Sequence, residues 1–300
     1  MNKLPKIFFF LLIIFATNPA HAEEKSNASK TAWPDLVAVK GGTPAQMFEV
    51  GIKAYGGLDR FIKKGQTVLI KPNIGWDKTA DEGGNTSPDL VARIVKMAYE
   101  VGAIKVYVFD YPVNRVEDCY KNSGIETAIE AQKGIMFVGH EESDFREVKI
   151  DRAKVLKTVK VHKLYLDSDV VINVPVLKNH GSTNMTAALK NLMGVVFDRM
   201  FWHKNGLHET IAEFPFVRKP DLNVVDAYKV MMRRGPRGVS KGDLELKKML
   251  LISKDMVLID TAAAKIIGQN PDELQYLKLA RDFGHGSMDL GRSEIKRISL

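Results

Sequence analysis

One cysteine, Cys119, stands in a chain of 300 residues. A lone thiol excludes an intramolecular disulfide, a four-cysteine zinc site and an all-cysteine iron–sulfur cluster. The chain also lacks a GxGxxG turn, a phosphate-binding P-loop and a GxSxG elbow, the commonest nucleotide and hydrolase signatures. Its histidines (His21, His140, His162, His180, His203, His208, His285) form no HxH or HxxxH pair, so local spacing writes no metal site. Basic residues outnumber acidic ones, 44 to 36, for a formal charge of +8. They form no dense Lys/Arg tract beside aromatics, which argues against nucleic acid and leaves a bias towards small anions. Hydrophobic residues at 45% and charged residues at 27% exclude a disordered chain, a collagen-like fibre or a coiled coil.

The first residues, MNKLPKIFFFLLIIFATNPAHA (1–22), combine Lys3 and Lys6, an apolar run from Ile7 to Ala16, and small residues at Ala20 and Ala22. This is the pattern of a cleavable export signal. The run is too short for a permanent bilayer span. There is no Arg-Arg pair, which favours the general secretion route, and no cysteine follows for lipidation. Cleavage after Ala22 removes two lysines, leaving 42 − 36 = +6. The expectation is a periplasmic or secreted protein without a stable membrane span, with residues 23–32 as a flexible leader and 33–300 as one domain.

From Trp33 onward short β-rich runs alternate with amphipathic stretches. Strands are expected at Leu36–Lys40, Thr67–Lys71, Lys105–Asp110, Gly134–Val138, Asp169–Val174, Leu222–Asp226 and Met249–Ser253. Helices are expected at Pro44–Tyr55, Pro88–Val101, Asn122–Gln132, Met185–Met193, Asp255–Ile267 and Pro271–Phe283. Runs such as VVINV and LNVVD are apolar throughout, which suits a sheet covered on both faces. The reading is an α/β fold with a mostly parallel sheet and helices on both faces, with two lobes around a cleft as one possible arrangement. Ligands of such folds bind beyond the carboxyl ends of strands.

Polar residues cluster at those exits. Lys71 and Asn73 follow TVLI, and the NTSP helix start (Asn85–Pro88) offers free N–H groups to an anion. The densest cluster runs from Val174 to Gly194. There a loop is expected to carry Lys178, Asn179 and His180, and a helix to carry Lys190 and Asn191 among apolar neighbours, where a cation needs a partner. Asp110, Asp226 and Asp260 also follow strands; Asp226 is the strongest functional candidate and Asp260 reads as structural. Arg233, Arg234 and Arg237 in the GPRG turn would suit a carboxylate or a phosphate, or form a solvated basic turn.

VLIKPN, NTSP, VINVPVLKNH, ALKNLMG, a following His208, NVVDA and GPRG occur in this order, and the ordered set resembles the DUF362 family, a domain of unknown function. The resemblance spans Val37 to Phe283. It implies a polar signature made of Lys71, Asn73, Lys178, His180, Lys190, Asn191, His208 and Asp226. Many members carry a cysteine-rich ferredoxin-like module, which this chain lacks. The motif is also similar to that of lactate racemases, which hold a nickel-pincer nucleotide on a lysine ten residues after a catalytic histidine. His180 and Lys190 have that spacing, although ALKNLMG replaces the Gly-Gly-Ala-Lys type sequence of racemases.

Two functions fit these residues. One is an exported enzyme on a small anionic substrate, with or without a metal or organic cofactor. Lys178 and Lys190 would then hold charge and His180 would move a proton near its ordinary pKa. Lys71, Asn73, Asn191 and His208 would bind substrate, and Asp226 would orient a base or ligand. The other is a non-catalytic periplasmic protein binding an anion or metal complex in the same cleft.

Overall fold

The apolar runs become strands whose successive residues point to opposite faces. The computed structural model describes residues 33–300; the expected export signal (1–22) and leader (23–32) lie outside the described residues. The strands are β1 (Leu36–Lys40), β2 (Thr67–Pro72), β3 (Lys105–Val108), β4 (Ile135–Met136), β5 (Phe145–Lys149), β6 (Thr158–His162), β7 (Val170–Val174), β8 (Val176–His180), β9 (Asn184–Thr186), β10 (Leu222–Met231), β11 (Leu244–Ser253) and β12 (Ile295–Ser299). The main sheet runs β12-β1-β11-β10-β7-β2-β3-β4, with β8 beside β10 and β9 beside β8; β5 and β6 pair separately. Only β1–β11, β10–β11 and β8–β9 are antiparallel in the main sheet, so it is mostly parallel.

Each central strand feeds two cores. Leu69, Val171, Val225 and Leu251 face one cluster with Leu258, Ile259 and Leu277. Val68, Ile70, Ile172, Val224 and Ile252 face the other, with Phe48, Ile52, Val91 and Ile94. One face is therefore covered by the helices Pro44–Ala54 and Pro88–Glu100, the other by Met256–Ile266 and Gln275–Asp282. The first helix starts at a capping box. The Thr43 hydroxyl accepts the Gln46 N–H at 3.3 Å, and the Gln46 amide oxygen accepts the Thr43 N–H at 2.9 Å. The described residues form one unit. Because both cores share one sheet, the described residues form one body and not two lobes around a cleft.

The structure departs from the sequence-based expectation where polar residues interrupt the pattern. Lys178 and His180 lie in strand β8, not in a loop, because Pro175 kinks the chain after β7 and β8 then pairs with the far half of β10. Met185 is in β9, and the helix expected from it starts only at Ala188. The helix expected at 122–132 divides at Gly124, which takes a left-handed φ of 74°. Strand β12 was not anticipated because IKRIS is a charged, half-exposed edge.

Candidate functional site

Strands β2, β3 and β7 end side by side, and a cavity of about 620 Å³ opens beyond their carboxyl ends. Its floor is an ion pair. Lys71 Nζ lies 2.7 Å from Asp110 Oδ1, and both side chains are buried. Asp110 Oδ2 also accepts the Ile74 N–H at 2.6 Å, so the carboxylate ties the exit of β3 to that of β2. Burial lowers the Lys71 pKa, and the Asp110 charge opposes that shift. Gly194 covers the pair closely: a Cβ there would overlap Asp110 Oδ1 and stand 2.6 Å from Lys71 Nζ.

A chain of amides runs from the cavity into the sheet. Lys178 Nζ donates to Asn73 Oδ1 (2.7 Å), Asn73 Nδ2 to Asn191 Oδ1 (3.0 Å), Asn191 Nδ2 to Asn173 Oδ1 (2.8 Å) and Asn173 Nδ2 to Asn223 Oδ1 (2.9 Å). Both ends fix the direction of the chain. Lysine has only donors, and Asn223 Nδ2 faces the carbonyl oxygens of Ser253 and Lys254. Every amide is thereby locked, and Asn73 and Asn191 present fixed edges to the cavity.

Three cationic side chains line this space: Lys178, Lys190 and Arg199. Lys178 has two neutral acceptors, Asn73 Oδ1 and the Gly84 carbonyl at 2.7 Å. Among the described residues Lys190 reaches only the thioether of Met193, at 3.2 Å. None of the three has a carboxylate within salt-bridge distance among the described residues. Burial pushes Lys190 down to about 7, and the Arg199 charge adds to the shift. Burial likewise pushes Lys178 down to about 7; Asp110 opposes this, while Lys190 and Lys71 reinforce it. Arg199 is anchored by the carbonyls of Tyr111 and Pro112, both at 2.6 Å, and lies over the Tyr111 ring. Its remaining N–H groups are free to meet a ligand.

His180 lines the same cavity, but it does not titrate near its ordinary value. Burial, followed by the charges of Lys190 and Lys178, pushes it down to about 3, so it is neutral at pH 7. Its Nδ1 accepts the Ser182 N–H at 3.1 Å, which leaves the proton on Nε2. It is a neutral hydrogen-bond donor at pH 7, where the sequence led to the expectation of a pKa near the ordinary value. Thr186 adds a buried hydroxyl with no partner among the described residues.

Of the sequence-predicted residues, Asn73, Lys178, His180, Lys190 and Asn191 line the cavity; Lys71, His208 and Asp226 do not. Lys71 lies beneath the floor with its charge consumed by Asp110. His208 stacks on Tyr276, with ring centroids 6.3 Å apart. Asp226 is wholly buried, where it accepts the Ser87 N–H at 2.8 Å and the Tyr228 N–H at 3.0 Å. The anion at the Pro88 helix start is therefore a side chain of the protein itself. Burial raises the Asp226 pKa, and the Ser87 hydrogen bonds oppose the rise. Asp260 is structural, as expected: its two oxygens accept the Ala188 and Leu189 N–H groups and so set the turn carrying Lys190. In the GPRG turn Arg234 pairs with Asp243 at 2.6 Å, and only Pro236 reaches the cavity.

Sequence reasoning missed Arg199, for which no local signal exists, and passed over Asp110 in favour of Asp226. It also missed Asn173 and Asn223, although a single amide inside each of the apolar runs VVINV and LNVVD was a usable sign. No group of three His, Cys, Asp or Glu side chains is placed to hold a metal ion among the described residues. The amine of Lys190 itself meets only the Met193 thioether among the described residues, in a cavity shared with Lys178 and Arg199. Among the described residues no helix is long and apolar enough to cross a membrane.

The family described as a domain of unknown function, DUF362, matches residues 68–265. A thylakoid-associated protein of Synechocystis sp. is 28% identical over 230 residues, which cover 73% of this chain and 68% of that protein. Among solved structures, the lactate racemase apoprotein from Thermoanaerobacterium thermosaccharolyticum aligns with a TM-score of 0.45 at 8% identity, over 65% of this chain and 50% of its own. A protein from Thermotoga maritima aligns with a TM-score of 0.44 at 13% identity, over 80% of this chain and 60% of its own. The chain thus spans less than two thirds of either solved structure.

Proposed function

Because the chain belongs to the DUF362 family of domains of unknown function, its chemistry rests on the cavity, and we propose that it is an exported enzyme acting on a small organic anion. The observation that carries this reading is Lys190, a buried amine whose only partner among the described residues is a thioether, in a cavity that also holds Lys178 and Arg199. A buried cation without a counter-charge is costly unless a ligand supplies one. In this reading the anionic group of the substrate lies against Arg199 and Lys178. Lys190 and the His180 Nε2–H then face the adjoining carbon and its oxygen, an amine that takes a proton and a fixed donor that stabilises developing negative charge.

The two lysines divide the work by their acceptors. Arg199 stays charged, and like charges in one cavity do not all persist. With a substrate anion bound, Lys178, with two oxygen acceptors, is the better placed to carry the proton, and Lys190, with a thioether, to be without it.

The binding test is thermal melting of the full chain with pyruvate, recovered from the periplasm of its host. A periplasmic protein whose first residue is Glu23 supports export, and retention in the cytoplasm with Met1 intact would contradict it. Pyruvate is expected to raise the melting temperature, because a ligand of the folded state stabilises by mass action. The effect should be largest at or below pH 7. Above about pH 7 the free Lys178 is neutral and must take up a proton to pair with the anion, so affinity falls by up to roughly tenfold per pH unit. The double variant Lys178→Met/Arg199→Met should lose the shift. A shift that survives in that variant, or none at any pH, contradicts the reading. Stabilisation without consumption of any carboxylate or phosphate offered would identify a binding protein.

A further inference from the structure

Lys190 is the least satisfied of the cavity's three cationic side chains, and its surroundings are those of a nucleophile. Its amine is buried against Met193 Sδ, a weak acceptor that holds the nitrogen without stabilising its charge. Lysines made reactive in proteins are desolvated, next to another cation, or both. Lys190 is both: it is 7% exposed and shares the cavity with Arg199 and Lys178. Two donors of residues lining the same cavity meet no acceptor among the described residues, the His180 Nε2–H and the Thr186 hydroxyl. Asp260 fixes the backbone from which Lys190 projects, through the Ala188 and Leu189 N–H groups.

We propose that Lys190 forms a covalent imine with the carbonyl carbon of a small 2-oxo carboxylate. This inference rests on the anion reading above and adds the substrate class and the bond formed. The carboxylate lies against Arg199 and Lys178. The carbonyl oxygen accepts from His180 Nε2–H and Thr186, which draws electron density from the carbon. Neutral Nζ attacks that carbon, the C–O double bond opens, and a proton moves from nitrogen to the new alkoxide to give a carbinolamine. Loss of water completes the imine, with both amine hydrogens leaving on the former carbonyl oxygen. Nothing is oxidised or reduced, and no co-reactant is needed.

The groups that face Lys190 also keep it reactive. Burial, and then the Arg199 charge, hold its pKa down, and Asp110, a buried carboxylate of the cavity, is bound to Lys71. The amine is therefore nucleophilic at neutral pH, where surface lysines are almost wholly protonated.

The test is reductive trapping on the wild-type full chain. The protein is incubated at pH 7 with pyruvate and sodium cyanoborohydride, and the modified lysines are located by peptide mass mapping. Lys190 should be labelled more than about tenfold faster than any other lysine, in keeping with its larger neutral fraction. Lys190→Arg should lose that adduct while keeping a positive charge; the wild-type map stands even where this variant does not fold. Binding without bonding is read separately from the fluorescence of Trp76, which lines the cavity, with Trp76→Phe as the blank. Quenching by both acetate and pyruvate, with labelling of Lys190 by pyruvate, supports the imine. Quenching without an adduct on Lys190, or labelling of Lys178 instead, overturns the imine and leaves the anion site standing. No quenching and no adduct overturns both.

Discussion

Replacing Lys190 with methionine is expected to make the ligand-free protein more stable at pH 6 while removing its reactivity towards pyruvate. The lysine moves from an ordinary value of 10.5 to about 7 on folding. Its charged form is therefore disfavoured in the folded state. At roughly 1.4 kcal/mol for each tenfold change in proton affinity, the cost comes to roughly 5 kcal/mol. The sign follows from proton binding: between about pH 7 and 10.5 the unfolded chain holds more protons, so stability rises with pH across that window. Below pH 7 the cost is complete. Methionine matches the length and apolar stem of lysine and packs beside Met193 without a charge to desolvate, a replacement of buried charge that is often neutral or stabilising. With about 2 °C per kcal/mol for a domain of this size, a rise of several degrees is expected at pH 6. The gain should shrink towards zero at pH 10. A lower melting temperature at pH 6, or a gain that persists at pH 10, would mean that Lys190 is satisfied in the fold and is not held for a ligand.

Gly194→Ala should have the opposite effect on stability and the same effect on the cavity. The added methyl group would overlap Asp110 Oδ1 and press on Lys71 Nζ, 2.6 Å away. Neither side chain has room to retreat, because both are buried and Asp110 also holds the Ile74 N–H. Separating such a pair leaves uncompensated buried charge and costs about 3–5 kcal/mol. Denaturant titration should show a loss in that range, together with loss of pyruvate-induced stabilisation as the floor rises. Gly181→Ala is the matched control: nothing lies within 4 Å of a Cβ there, and a change within about 0.5 kcal/mol is expected. Equal stability of the two variants would contradict the role given to the floor.

The sheet was legible because its strands are written as unbroken apolar runs, and Leu69 and Ile70, adjacent in one such run, serve opposite cores. Helix starts were legible where capping chemistry is local, as at Thr43. The site was half legible. Lys178, His180, Lys190 and Asn191 come from one segment whose lysine and amide stand out among apolar neighbours. What strand order alone decides was not readable. Asp110 and Asp226 are both carboxylates at strand exits, yet one ends beside Lys71 and the other beside a helix start 139 positions away in sequence. Burial was equally hidden: a histidine that looks ordinary in VLKNH becomes a neutral donor because desolvation, and after it the charges of Lys190 and Lys178, disfavours its second proton. Arg199 enters through backbone carbonyls 88 and 87 positions away, which no pattern in its own segment announces.

One amine carries the chemistry proposed for this cavity. The most direct measurement is the titration of the Lys190 side chain by NMR in protein carrying isotope-labelled lysine, with the resonance assigned by its loss in Lys190→Arg. A midpoint near pH 7, rising when acetate occupies the cavity, is the expected result. A midpoint above about 10, the ordinary range of a solvated lysine, would contradict the account, since Lys190 would then be a stable cation needing neither a counter-anion nor a carbonyl partner.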